Sequence, residues 1–209
     1  MNERLLSHQR LRTLMYVGLT LMLAGYFLPW LPGPAAGLKI IGIELGEWIK
    51  FLGVGSSRDL FYLPPIAVGL LLALMTADCP NNRWQTWVMR GLAIAVSLLA
   101  IPAFAAITTE PQSEWLMRVI LIGLVLLTVV ISSLAFRSPR ILALIHPVMV
   151  MIALVGAFLP VWQYLMIRPA VVDIMNRSIG FGPGLWANLF GGILVAISIA
   201  QGMWMERRR

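Results

Sequence analysis

The sequence predicts an all-α integral membrane protein with six transmembrane helices, amphipathic elements in two long outer loops and a partial parallel repeat of a helical hairpin. Three observations support this fold class. Hydrophobic residues make up 59% of the chain and charged residues 12%, against roughly 45–50% and about 25% in soluble domains. Six apolar stretches are long enough to cross a hydrocarbon layer of roughly 30 Å. All eight tryptophans lie at the edges of these stretches, where indole favours the membrane interface.

The six predicted spans belong to one membrane domain, residues 1–209. A basic segment, 1–12, precedes the first span, which we interpret as a retained helix because no small-residue cleavage site follows it. Pro102 and Pro147 each predict a kink or local break within a span. The spans lie near 13–31, 60–77, 88–108, 117–136, 141–161 and 185–203.

The distribution of basic residues predicts the orientation. With a cytoplasmic N-terminus, ten arginines fall in the inner segments, and six basic residues fall in the outer ones. The positive-inside rule therefore predicts cytoplasmic tails, 1–12 and 204–209. Arginine dominates the basic residues, as is typical of GC-rich genomes, and we expect a bacterial cytoplasmic (inner) membrane. The net charge of +7 is scattered between spans, and this pattern argues against nucleic-acid binding.

Two hairpins share a short sequence pattern. The first predicted span ends in Gly-Tyr-Phe-Leu-Pro-Trp at 25–30, and the fifth ends in Gly-Ala-Phe-Leu-Pro-Val-Trp at 156–162. A long outer loop and a glycine-bearing stretch follow each copy. Because both copies run outward and then inward, they predict a parallel repeat rather than an inverted one. The alternative is common membrane-exit chemistry, since proline ends helices.

The first outer loop contains an amphipathic segment, 38–52. On a helical wheel its apolar residues, Trp48 among them, fall on one side, and Lys50 falls on the other. A strand over 38–45 is the alternative, because Ile40 and Ile41 favour β structure. In the helical interpretation the segment lies flat at the outer interface or is covered by a partner protein.

The second outer loop contains a similar segment, 169–178. Val171 and Ile174 are expected to face away from Asp173 and Arg177. As in the first loop, the apolar face predicts contact with lipid or with another protein. Small residues at four-residue spacing in the last span predict a helix-packing face. This face consists of Gly192, Ala196 and Ala200.

The sequence offers few candidates for a catalytic, metal or cofactor site. Charged residues map to loops or span ends, where Asp59, Asp78 and Arg118 are expected to snorkel toward water. No carboxylate pair, nucleophile set or metal motif is readable, so we predict neither enzyme activity nor a cofactor. His146 lies inside the predicted fifth span. It is either a haem or pigment ligand or, by default, a packing histidine bonded to a carbonyl group.

The predicted function is association. We expect a non-catalytic accessory or scaffold subunit of a larger membrane assembly, with the lipid bilayer and other membrane proteins as partners. The premise is that small-residue and amphipathic surfaces are present while buried ionisable groups are missing. A transporter or channel component for a small solute is the first alternative. A lipid-modifying membrane enzyme is the second.

Overall fold

The computed structural model describes residues 2–32, 39–52, 55–134, 139–176 and 178–207. Across these ranges the chain is helical apart from connecting segments and one short antiparallel ribbon, which confirms the all-α class. The α-helices are α1 Asn2–Phe27, α2 Gly42–Trp48, α3 Leu63–Met75, α4 Trp84–Ser97, α5 Phe104–Thr109, α6 Leu116–Ser133, α7 Pro139–Met175 and α8 Pro183–Arg207, and the ribbon strands are β1 Pro29–Leu31 and β2 Ile40–Ile41.

The long helices run between two ends of a bundle. The loop end carries β1, β2 and α2, together with the start of α6. The terminal end carries the start of α1, the end of α8 and the turn 76–83 between α3 and α4.

Four helical segments within the described ranges are long and apolar enough to cross a membrane. Helix α3 is the central one, because 72% of its most apolar window is buried inside the protein, against 22% for α6 and 28% for α7. Apolar helices that bury so little of their own surface are typical of a bilayer environment. The four segments are Ser57–Met75, Leu116–Ser133, Leu144–Ile174 and Pro183–Met205.

The first and third predicted spans correspond to helices that do not meet the same criterion. Helix α1 is long but begins with polar residues. The third prediction, 88–108, is divided: α4 ends at Ser97, a 3₁₀ turn follows, and α5 begins only after Pro102. Proline lacks the amide hydrogen that a continuous helix requires. The structure therefore has the break that was predicted at this position.

Helix α7 continues beyond 161, where the fifth span was predicted to end, and it is not broken at Pro147. The helix passes through Pro147, Pro160 and Pro169 and ends where Asn176 adopts a left-handed φ of 46°. Each interior proline costs roughly 3 kcal/mol, which packing must offset. The inward face of the extension supplies that packing, because its side chains enter a core built around Trp30. These side chains are Tyr164, Ile167 and Val171.

Small residues bring the helix backbones together. Helices α1 and α8 are antiparallel: a side chain at Gly18 would lie 2.8 Å from the Gly191 carbonyl oxygen, and one at Gly25 would lie 2.7 Å from that of Gly184. In the same way, Gly156 of α7 lies directly against the Cβ atom of Ala67 in α3. Close backbone approach of this kind is how helices associate where lipid competes for apolar contacts.

The loop end has its own apolar core around Trp30. The Trp30 indole is buried and donates a hydrogen bond to the Gly25 carbonyl oxygen at 2.9 Å. The prediction that this side chain faces the membrane interface is therefore wrong. In the described part of the predicted segment, 39–52, β2 is followed directly by α2, so a strand and a helix both occur, each over a shorter range than predicted. Gly182 lies against the β1 backbone and donates its amide hydrogen to the Trp30 carbonyl oxygen at 2.9 Å.

Candidate functional site: an ion cluster, a buried arginine and a cavity

A cluster of charged side chains joins four segments at the loop end. We call it the ion cluster; it brings the segment 42–52, the 3₁₀ turn Gly55–Tyr62, the segment 110–114 and α6 together. Its three cations face four carboxylates, so the charges are nearly compensated. The members are Glu47, Lys50, Arg58, Asp59, Glu110, Glu114 and Arg118, with the Tyr62 hydroxyl as a further donor.

Arg118 is the centre of one half of the cluster. Its guanidinium lies 3.0 Å from Glu47 Oε1 and 3.1 Å from Asp59 Oδ1, and it stacks on the Tyr62 ring at 4.4 Å. The Tyr62 hydroxyl donates a hydrogen bond to Glu47 Oε1 at 2.7 Å. Burial raises the pKa of Glu47, but these hydrogen bonds outweigh burial and hold its pKa below the ordinary value.

Arg58 is the centre of the other half. Its guanidinium donates a hydrogen bond to Glu110 Oε2 at 2.7 Å and lies 3.3 Å from Glu114 Oε2. Lys50 reaches Glu110 from the water side at 3.5 Å. The hydrogen bond from Arg58, more than any other influence, lowers the pKa of Glu110. Each charge of the cluster therefore has a counter-charge, as a structural clamp requires.

The ion cluster corrects two expectations. Arg118 and Asp59 do not snorkel toward water, because both side chains are almost fully buried and paired with each other. The premise that buried ionisable groups are missing is therefore wrong. The four segments of the cluster are distant in sequence, so hydropathy alone could not bring them together. The available signal was local: Arg58-Asp59 opens an apolar run, and Glu114 precedes Arg118 by four residues.

A single arginine is buried near the terminal end. Arg90 donates hydrogen bonds to Asn81 Oδ1 at 2.9 Å, to Thr76 Oγ1 at 3.2 Å and to the Ser132 carbonyl oxygen at 3.1 Å. Its Nη1 atom has no hydrogen-bond partner in the described part of the chain, and the Trp87 ring lies 5.2 Å away. Three neutral acceptors thus hold the turn 76–83, α4 and α6 together through one cation.

A cavity of about 780 Å³ opens at the terminal end between α1, α3, α4, α7 and α8. We call it the terminal cavity. His146 and Cys79 line it, and so do five methionines. His146 forms no hydrogen bond or ion pair with any described residue, so the carbonyl bond predicted for it by default is not found there. The methionines are Met15, Met75, Met89, Met149 and Met203.

A shallower groove of about 380 Å³ runs between α3, α6 and α7. Its lining is apolar throughout and includes Leu121, Pro147 and Met151. Groups of three or more His, Cys, Asp or Glu side chains that would hold a metal ion do not occur among the residues described. The terminal cavity, unlike this groove, has both polar and apolar walls.

The predicted helix-packing face is divided between two environments. Gly192 lies against the Cβ atom of Ala157, and a side chain at this position would lie 2.8 Å from the Ala153 carbonyl oxygen. Ala196 is buried in the central core. Ala200, the third member of the face, is exposed.

The two predicted amphipathic segments are also divided. Trp48 packs partly buried against the Trp30 core, while Lys50 is exposed and paired within the ion cluster. In the second segment Val171 is buried and Asp173 is exposed, but Ile174 is exposed too. Ile174 does not share the buried side of Val171 because it lies at the tip of α7. Arg177 lies outside the described residues.

No protein-family model, curated protein or solved structure matches this chain.

Proposed function

We propose that this protein is a non-catalytic accessory or scaffold subunit of a larger assembly in a bacterial cytoplasmic membrane, with six spans, a repeated hairpin and both termini cytoplasmic. One observation carries the proposal: the candidate membrane-spanning helix in α7 is far longer than the one in its neighbour α6. It covers 31 residues in α7, Leu144–Ile174, and 18 residues in α6, Leu116–Ser133. At about 1.5 Å per residue these lengths are roughly 46 and 27 Å.

The difference matters because both helices pack against α3 in the same bundle. A bilayer of roughly 30 Å matches α6 and leaves about 16 Å of α7 uncovered. Tilting would relieve such a mismatch in a free helix. Here α7 is fixed at the loop end, since Gln163 Nε2 donates a hydrogen bond to Ser57 Oγ at 3.0 Å and the Tyr164 hydroxyl donates one to the Gly180 carbonyl oxygen at 2.8 Å.

The outward side of this extension is apolar and open. Trp162, Leu165 and Met166 are all exposed there, while the inward side is buried in the Trp30 core. Exposed apolar patches beyond the hydrocarbon layer are typical of protein–protein contacts. A second membrane protein with an apolar outer surface would cover this side of α7.

The transporter alternative is less well supported. A path for a polar solute needs side chains that offer it hydrogen bonds at mid-depth. Five hydroxyl groups of the predicted spans were candidates to line such a path, and each donates to a carbonyl oxygen of its own helix, at 2.7–2.9 Å. These residues are Thr20, Ser97, Thr128, Ser132 and Ser198. For the enzyme alternative, Glu47 is committed to the ion cluster, and Asp173 stands apart on α7.

Photo-crosslinking in cells tests the proposal. A benzoylphenylalanine placed at Met166 should capture another membrane protein in a stoichiometric adduct. Met151 is the matched control, because it is the same residue type on the same helix and is equally open, 60% exposed against 62% for Met166, but it lies within the length matched by α6. Adducts at 166 with lipid alone, or with a second copy of this chain alone, would contradict the proposal.

A further inference from the structure

The terminal cavity combines an apolar interior with a basic rim. Met149 and Ile199, on its walls, are buried, whereas Arg12, Asp78 and Arg83, on its edge, are exposed. Its volume of about 780 Å³ falls within the roughly 300–1,000 Å³ of small-molecule sites. From this arrangement we infer that the cavity binds an anionic amphiphile with a single apolar tail, the tail among the methionines and the anionic head at Arg12 and Arg83.

The charge of the rim favours an anionic head. Two guanidinium groups face one carboxylate, and neither Arg12 nor Arg83 forms an ion pair with a described residue. Arginine offers a planar fork of donors that matches carboxylate and phosphate oxygens. A carboxylate and a phosphate monoester share this chemistry, so both belong to the ligand class.

The methionine walls favour a flexible tail. Methionine is unbranched and polarizable, and surfaces rich in it adapt to ligands of variable shape. The hydroxyl group of Ser198, the small polar side chain on the α8 wall, is occupied by the Leu194 carbonyl oxygen at 2.7 Å. The α8 wall therefore offers no free hydroxyl group to the part of the ligand that lies against it, as suits a hydrocarbon chain.

The sole cysteine of the sequence reports on this cavity. Cys79 is half-buried on the cavity wall, so a bound tail should shield its thiol from a maleimide. The full chain would be placed in nanodiscs of phosphatidylcholine, because detergent is itself an amphiphile. Palmitate and 1-palmitoyl-lysophosphatidate should each slow alkylation by roughly tenfold or more at saturation, and neutral monopalmitoylglycerol by less than about twofold.

A glycine provides the decisive variant. Gly202 lines the cavity, and a Cβ atom built there meets nothing within 4 Å, so Gly202→Leu should fill the space without disturbing the fold. Gly123 has equally open surroundings but lies outside the cavity, which makes Gly123→Leu the matched control. Protection by the anionic probes, measured as the ratio of rates with and without probe, should disappear in the first variant and persist in the second.

The rim is tested by charge removal. The double variant Arg12→Gln/Arg83→Gln should weaken both anionic probes by about tenfold, whereas Arg10→Gln, on an exposed residue outside the cavity, should not. Equal protection by the neutral and anionic probes would overturn the proposal, and so would absence of protection or persistence of protection in Gly202→Leu. Haemin binding with a Soret shift that is lost in His146→Ala would assign the cavity to a porphyrin instead.

Discussion

Removal of Arg118 should be far more damaging than removal of an exposed charge of the same ion cluster. The Arg118 and Asp59 side chains are 1% and 4% exposed, and their charged atoms lie 3.1 Å apart. The variant Arg118→Met keeps an apolar chain of similar length and leaves the buried Asp59 without its partner. Breaking a buried ion pair in this way costs about 3–5 kcal/mol.

The matched comparisons follow from the geometry. Lys50→Met removes a cation whose side chain is 36% exposed, and exposed pairs contribute about 1 kcal/mol or less. Asp59→Leu should cost less than Arg118→Met, because Arg118 still has Glu47 at 3.0 Å. In the double variant Arg118→Met/Asp59→Leu no buried charge of this pair remains, so the cost should fall below the sum of the single changes by about 2 kcal/mol.

Equilibrium unfolding in mixed micelles, titrated with dodecyl sulfate and followed by circular dichroism, measures these free energies. The double variant separates the loss of charge compensation from simple loss of packing, since packing losses would add. Two results would refute the reasoning: equal costs for Arg118→Met and Lys50→Met, or additive costs for Arg118→Met and Asp59→Leu.

Two further predictions concern packing and pH. Gly192→Val forces a side chain against Ala157 and should lower the free energy of unfolding by about 1–3 kcal/mol. Gly123→Val is the control, because Gly123 has open surroundings, and it should leave this free energy unchanged. Equal unfolding curves for the two variants would contradict the α7–α8 contact. Glu47 and Glu110 have pKa values below the ordinary 4.5, so their stabilising contribution is present above that value and is lost as pH falls through the lower folded values. Hydrogen exchange at the loop end should therefore quicken as pH falls below 4.5, and unchanged protection of α2 would count against the cluster.

Hydropathy predicted the helical class because apolar length is a local property. The break at Pro102 was predictable for the same reason. The end of α7 was not predictable, because the helix tolerates Pro160 and Pro169 only where its inward face packs in the Trp30 core. A core of this kind exists only after distant segments have met.

Neither the ion cluster nor the terminal cavity could be predicted from the sequence. From the sequence alone Arg118 is expected to snorkel, because Glu47, its partner in the structure, lies far away in the chain. His146 was found as a candidate from its position in a span, but its methionine surroundings come from five different helices. For both sites the sequence shows the residue types, but it does not show which side chains lie next to one another.

The glycine contact between α1 and α8 has a consequence for synthesis. Gly191 follows Gly18 in the chain by about 170 residues, so at roughly 5–20 residues per second α1 waits on the order of 10–30 seconds for its partner. During that interval its flat side lacks the helix that covers it in the finished protein. The contact thus forms only after α8 has been made, and a chain halted before α8 would leave α1 open to quality-control proteases or to mispairing.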